Sequence, residues 1–177
     1  MEDLRKIVKR SFNTFIIIVI IIVIVLIWMF ALKRIKTKEF YSANDFGIKT
    51  IYSNVDYNGN GIDDYSDFVL GARKNGDNTI KMAFKEAGYD LSVVNNYISF
   101  FLKYSDILTT DINEIGEWQP GDIVFFDDNM GIVSDKRNKK GVTFVIYDDK
   151  EEDILSSVNV KFHFRFNGEK LGLNLFE

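Results

Sequence analysis

The stretch Glu117-Trp118-Gln119-Pro120-Gly121-Asp122-Ile123-Val124-Phe125-Phe126 decides the reading of the fold. Pro120, the only proline in the chain, stands with Gly121 in a pair that favours a bend. Asp122–Phe126 is then short, apolar and rich in strand formers. Three more such runs follow. Met130–Ser134 comes after an acidic turn, and Val142–Tyr147 after Lys139-Lys140-Gly141. Val158–Phe166 alternates, with Val158, Val160, Phe162, Phe164 and Phe166 on one face and Asn159, Lys161, His163 and Arg165 on the other. These runs predict an antiparallel sheet.

Working back from the bend, the spacing changes to that of helices. Asp64–Lys74 places Tyr65, Phe68, Val69 and Ala72 on one face, with Gly71 as a close-packing point. Asn78 is placed to cap a helix through Ala83 and Phe84 that stops at Gly88. Asp90 or Ser92 would cap another, carrying Val93, Val94, Tyr97, Phe100, Phe101 and Tyr104. Helices first and strands later predict an α+β domain, with helices packed on one face of an antiparallel sheet. Its expected span is 51–177.

The N-terminal side differs. Phe15–Leu32 holds no charged residue and, as a helix, would span about 27 Å, close to the hydrocarbon thickness of a bilayer. A cleaved leader would have a shorter apolar stretch followed by small residues. Here Leu32-Lys33-Arg34 follows, so the expectation is an uncleaved signal anchor: a basic segment 1–14, a transmembrane helix 15–32 and a polar stalk 33–50. Lysines and arginines flank the run equally on both sides, so charge leaves the orientation open.

Composition removes several function classes. The chain has no cysteine, which excludes disulfides, thiolate metal sites and a cysteine nucleophile. One histidine excludes paired-histidine chemistry. The formal net charge is −4, and the acidic excess lies beyond the apolar run. No nucleic-acid partner is expected, because that needs a basic footprint.

The sharpest local pattern is Asp56-Tyr57-Asn58-Gly59-Asn60-Gly61-Ile62-Asp63-Asp64-Tyr65-Ser66-Asp67. Calcium takes six to eight oxygens, and the spacing would offer Asp56, Asn58 and Asn60 by side chain, Ile62 by carbonyl, Asp64 through water and Asp67 to close the loop. Position 12 is Asp where an EF-hand has Glu, so the loop looks more like the short calcium loops of thrombospondin type 3 repeats and dockerins. The alternative is a plain Asn/Gly/Asp turn preceding a helix.

Trp118–Phe126 together with Gly131-Ile132-Val133-Ser134-Asp135-Lys136-Arg137-Asn138 resembles the NlpC-type papain-like cell-wall peptidases, most closely the bacterial domain-of-unknown-function family 1287. Further matching pieces are the 56–67 loop, Gly71-Ala72-Arg73, Ala83-Phe84 to Gly88-Tyr89, Glu151-Glu152-Asp153 and His163-Phe164-Arg165-Phe166. The resemblance spans about residues 50–166. It implies a papain-like fold, an extracytoplasmic position and a cell-wall ligand. Relatives with an intact site look like Cys/His enzymes. Here their Cys-bearing string is replaced by Asn75-Gly76-Asp77-Asn78-Thr79, and their two His positions by Asn129 and Tyr147. Asn129 and Tyr147 are either a ligand groove or remnants of a lost site. His163 is expected to be a half-exposed strand histidine, Trp118 core, and Lys136–Lys140 a solvated hairpin turn or a contact for anionic polymer.

The expected function is therefore that of a membrane-anchored, catalytically inactive papain-like domain that binds or regulates at the cell envelope, with peptidoglycan or an envelope protein as partner. The alternative is a calcium-stabilised interaction module without a wall ligand. A third reading places a metal hydrolase site on Asp127, Asp128 and Asp148.

Overall fold

A computed structural model describes residues 16–25, 40–74, 78–127, 129–153 and 159–173. Two compact units divide the chain, Met1–Glu39 and Phe40–Glu177. In the first, residues 16–25 are helical (α1) with their apolar side chains exposed. No helix among the described residues is long and apolar enough to cross a membrane. The rest of the apolar run 15–32 lies outside the described residues.

The second unit is α+β. It opens with a 3-10 turn, Ala43–Phe46, followed by α2 (Asp64–Ala72), α3 (Thr79–Glu86) and α4 (Tyr97–Tyr104). The strands are β1 (Ser105–Ile107), β2 (Ile123–Phe126), β3 (Asn129–Arg137), β4 (Thr143–Tyr147), β5 (Lys150–Asp153) and β6 (Val160–Phe166), and α5 (Gly168–Leu173) follows. They form one six-stranded sheet in the order β1-β6-β2-β3-β4-β5, and every pairing is antiparallel.

Local chemistry sets the helix ends. The Asp63 carboxylate accepts the amide hydrogens of Tyr65 and Ser66 and caps α2. Asn78 caps α3 through the Lys81 amide at 3.0 Å, and Gly88, at φ +89°, ends it as expected. The cap of α4 is Asn96, not Asp90 or Ser92. Asp90 is engaged in its own turn, accepting the Ser92 amide at 2.8 Å, so the helix starts later.

One core cluster lies between α2, α3 and α4 and one face of the sheet. Phe68 and Phe84 stack at 4.3 Å, and Phe166 meets Phe84 edge-on at 5.0 Å. Each fully buried ring contributes roughly 2–3 kcal/mol through the area it removes from water. Gly71 lets α2 and α3 touch: a Cβ there would sit 2.5 Å from the Met82 carbonyl oxygen.

The sheet is covered on both faces, where one was expected. On the second face Trp118, Val124, Phe126, Val133, Val142 and Val145 are buried, with Ile112, Ile115, Tyr147 and Val160 against them. Segment 108–122 supplies the cover. Its anchor is Asp122, fully buried. That carboxylate accepts from Arg165 Nε and Arg165 Nη2 at 2.8 Å each, from the Gln119 amide at 2.9 Å, and lies 3.0 Å from His163 Nε2. His163 is therefore buried, not half-exposed, and its ring stacks flat on Trp118 at 3.9 Å. Burial alone would lower the Arg165 guanidinium, but the Asp122 hydrogen bonds and charge outweigh it and hold it above its usual value.

Two more readings change. A β-bulge shifts the β2–β6 register between Phe125 and Phe126, pairing them with Phe162 and Val160, so Val160 turns to the opposite face from Phe162. Arg137, expected in a solvated turn, is buried and donates to the carbonyls of Ile115 at 2.9 Å, Gly141 at 2.8 Å and Trp118. Residues 40–50, expected to be stalk, are tied down in part, because Tyr41 exchanges backbone hydrogen bonds with Arg137 at 2.9 and 2.7 Å.

Asp122→Ala would leave half-buried Arg165 and buried His163 without their shared carboxylate, with an expected loss of about 3–5 kcal/mol in urea unfolding. Gly71→Val would force α2 from α3, with an expected loss of about 1–3 kcal/mol.

Candidate functional site

The place where the resemblance puts a catalytic centre is the sheet end at which α3 begins and the β2–β3 and β4–β5 hairpins turn. Residues 75–77 lie outside the described residues. From Asn78 the chain is held: Thr79 Oγ1 accepts the Asp148 amide at 3.1 Å, which ties the start of α3 to the end of β4. Asn129 opens β3 opposite Phe126 and is exposed. Tyr147 closes β4, half-buried, with its ring edge-on to Phe126 at 4.9 Å and its hydroxyl donating to Glu152 at 2.9 Å. Tyr147 is thus packed into the second cluster. Asn129 and Tyr147 belong to neighbouring strand ends on this side.

The acids of the third reading have a conformational explanation. Asp127, Asp148 and Asp149 have φ of +47°, +45° and +59°. Tyr147 pairs with Lys150, so Asp148 and Asp149 form a two-residue loop with both residues left-handed. Asp tolerates that conformation better than most residues. Asp128 lies outside the described residues.

A small cleft of about 160 Å³ lies beside this region, lined by Ala72, Arg73, Ile146, Asp149, Lys150 and Glu151. Asn129 and Tyr147 do not line it. Its charged rim was not visible from sequence spacing. Arg73, just past α2, donates to Glu151 at 2.9 Å and Ser134 at 3.2 Å and pairs with Asp135. Lys136 reaches Glu151 at 2.5 Å, and the Ser134 hydroxyl donates to the same carboxylate. Burial pushes the Glu151 carboxyl up, but the bonds from Lys136, Ser134 and Arg73 outweigh it and leave it below its ordinary 4.5.

His163 is remote from this chemistry in function. Its Nδ1 lies 2.7 Å from the Thr109 carbonyl and its Nε2 3.0 Å from Asp122. Both nitrogens are engaged and the ring is fully buried, so it cannot serve as a base for an outside substrate.

In the acidic loop, Asp56 accepts the amides of Asn60 at 3.1 Å and Gly61 at 2.8 Å, and Asn60 Oδ1 accepts Ile62 at 2.7 Å. Asp64 is buried, with one oxygen on the Tyr57 amide at 2.9 Å and the other on the Tyr89 hydroxyl at 2.5 Å. Asp63 serves as the α2 cap. Asp67 is buried and accepts the side-chain amides of Asn58 at 2.9 Å and Asn60 at 3.0 Å. Among the described residues no group of three or more His, Cys, Asp or Glu gathers closely enough to hold a metal by itself. Any cation here would rely on amide and carbonyl oxygens as well.

The family described as a domain of unknown function, DUF1287, matches residues 70–166. The chain belongs to the DUF1287 family. The match takes in α3, the strands, the Arg73–Glu151 rim, Asn129 and Tyr147, and leaves the 56–67 loop outside it. None of the curated proteins and none of the solved structures compared with the chain matches it.

Glu151→Gln tests the rim of this DUF1287 domain. Because Glu151 is held below 4.5, its contribution is present above that pH and lost as the pH falls through the folded value. The variant should be less stable than wild type by about 1–3 kcal/mol at neutral pH, with the gap closing below pH 4.5 in urea titrations.

Proposed function

We propose that this DUF1287 domain is a papain-like scaffold without catalysis, anchored to the plasma membrane by the 15–32 segment and displayed outside the cytoplasm, where it binds a cell-wall peptide or glycan. The observation that carries this reading is the state of the chemistry-bearing residues. The chain has no cysteine. Its one histidine is sealed between Trp118, Asp122 and Thr109. The positions that resemble the papain-like catalytic His residues hold Asn129 and Tyr147. A nucleophile needs a base within hydrogen-bond reach to be activated, and the imidazole here serves packing.

The replaced residues keep polar character. Asn129 offers an amide that donates and accepts, and Tyr147 a hydroxyl. The Arg73 rim, which Asn129 and Tyr147 do not line, is a separate feature whose guanidinium is already paired with Asp135 and Glu151.

The test uses the full chain in detergent, mixed with purified cell-wall sacculi and with soluble muropeptides. The expected result is pelleting with sacculi and no cleavage of muropeptides. Cleavage by the pure protein would overturn the inactive reading. Failure to pellet would overturn the wall ligand.

A further inference from the structure

We propose that the loop Asp56–Asp67 is a low-affinity calcium site, in which Asp56, Asn58, Asn60 and Asp67 give side-chain oxygens and Ile62 its carbonyl. The inference is independent of the wall-binding reading. It rests first on how the loop is wound. Both oxygens of Asp56 take loop amides, those of Asn60 and Gly61, and Asn58 Oδ1 takes the Asn60 amide at 2.9 Å. Gly59 and Gly61 stand at φ +70° and +87°, a left-handed conformation that lets the loop turn tightly. The chain therefore curls about its own side-chain oxygens. Each amide oxygen keeps a second lone pair for a cation.

The second observation is independent of the winding. Asp67 is 1% exposed, yet its Oδ1 has no hydrogen-bond partner. The carboxylate faces the loop, because its other oxygen accepts from Asn58 and Asn60. A buried carboxylate oxygen left bare is unfavourable, and buried polar groups are as a rule satisfied. A cation among the loop oxygens supplies the missing partner.

The surroundings fit a hard, weakly held ion. Asp64, expected to ligate through water, is instead committed to Tyr57 and Tyr89 and braces the loop from behind. With two carboxylates and neutral oxygens for the remainder, the site suits Ca²⁺, which tolerates irregular oxygen shells, better than Mg²⁺. Low ligand charge places the dissociation constant at about 10⁻⁴–10⁻³ M.

Terbium serves as the luminescent stand-in for calcium, with Tyr57 in the loop and stacked on Tyr89 at 4.3 Å as the light-absorbing donor. The full chain, excited through tyrosine, should give saturable terbium emission that calcium displaces and magnesium does not. Calcium at about ten times its dissociation constant should raise the thermal midpoint by about 3–6 °C. Asp67→Asn should abolish both responses. Asp56→Asn, at an exposed position, keeps the test open should the buried variant fail to fold, and should weaken binding at least tenfold. Asp111→Asn, outside the loop, should bind like wild type. Absence of emission and of any midpoint shift in the folded full chain would overturn the site, as would wild-type affinity in Asp56→Asn.

Discussion

The carboxylate of Asp122 is the constraint on which the second half of the domain depends. A fully buried charge is costly unless its oxygens are all engaged. Here two nitrogens of Arg165, the Gln119 amide and His163 share them. The groups come from β6 and from the segment before β2. One side chain thus fixes where the bend at Pro120-Gly121 sits over the sheet. Gly121 completes that placement at φ +88°, where a Cβ would meet the Tyr65 backbone at 2.7 Å. Trp118, laid on His163, and Arg137, capped by three carbonyls, then close the second face.

Covering both faces explains what sequence reading captured and what it missed. The helix ends at Asn78 and Gly88 were legible because a cap and a left-handed stop are local chemistry. So were β2, β3, β4 and β6, through their apolar residues. The second layer was not, because 108–117 carries only scattered apolar residues such as Ile112 and Ile115. His163 and Arg165 read as a solvated face because alternation reports polarity, whereas both are satisfied by Asp122 and by the carbonyls of Thr109 and Glu117. Strand β5 escaped for the opposite reason: Lys150–Asp153 has no apolar residue at all. It is a strand because it pairs with β4 across the Asp148-Asp149 turn.

The candidate site divides along the same line. Asn129 and Tyr147 were legible through the strings around them. The Arg73 rim was not, since Arg73 stands 61 positions from Ser134 and 78 from Glu151. Only the folding of α2 against β3 and β4 assembles it. The acidic loop was legible in its spacing, whereas the bare oxygen of Asp67 is a property of packing alone. Asp64, read as one more ligand, turned out to hold the loop in place through Tyr57 and Tyr89.

The sheet ends at β5, whose four residues are Lys, Glu, Glu and Asp. An edge strand exposes unpaired backbone groups that invite another chain to dock. A second copy paired antiparallel and in register on this edge would set Glu151 against Glu152 at the centre, and Lys150 against Asp153 at the ends. Like charges opposed across a strand pair are destabilising. The repulsion at the two central pairs therefore disfavours growth of the sheet at this edge.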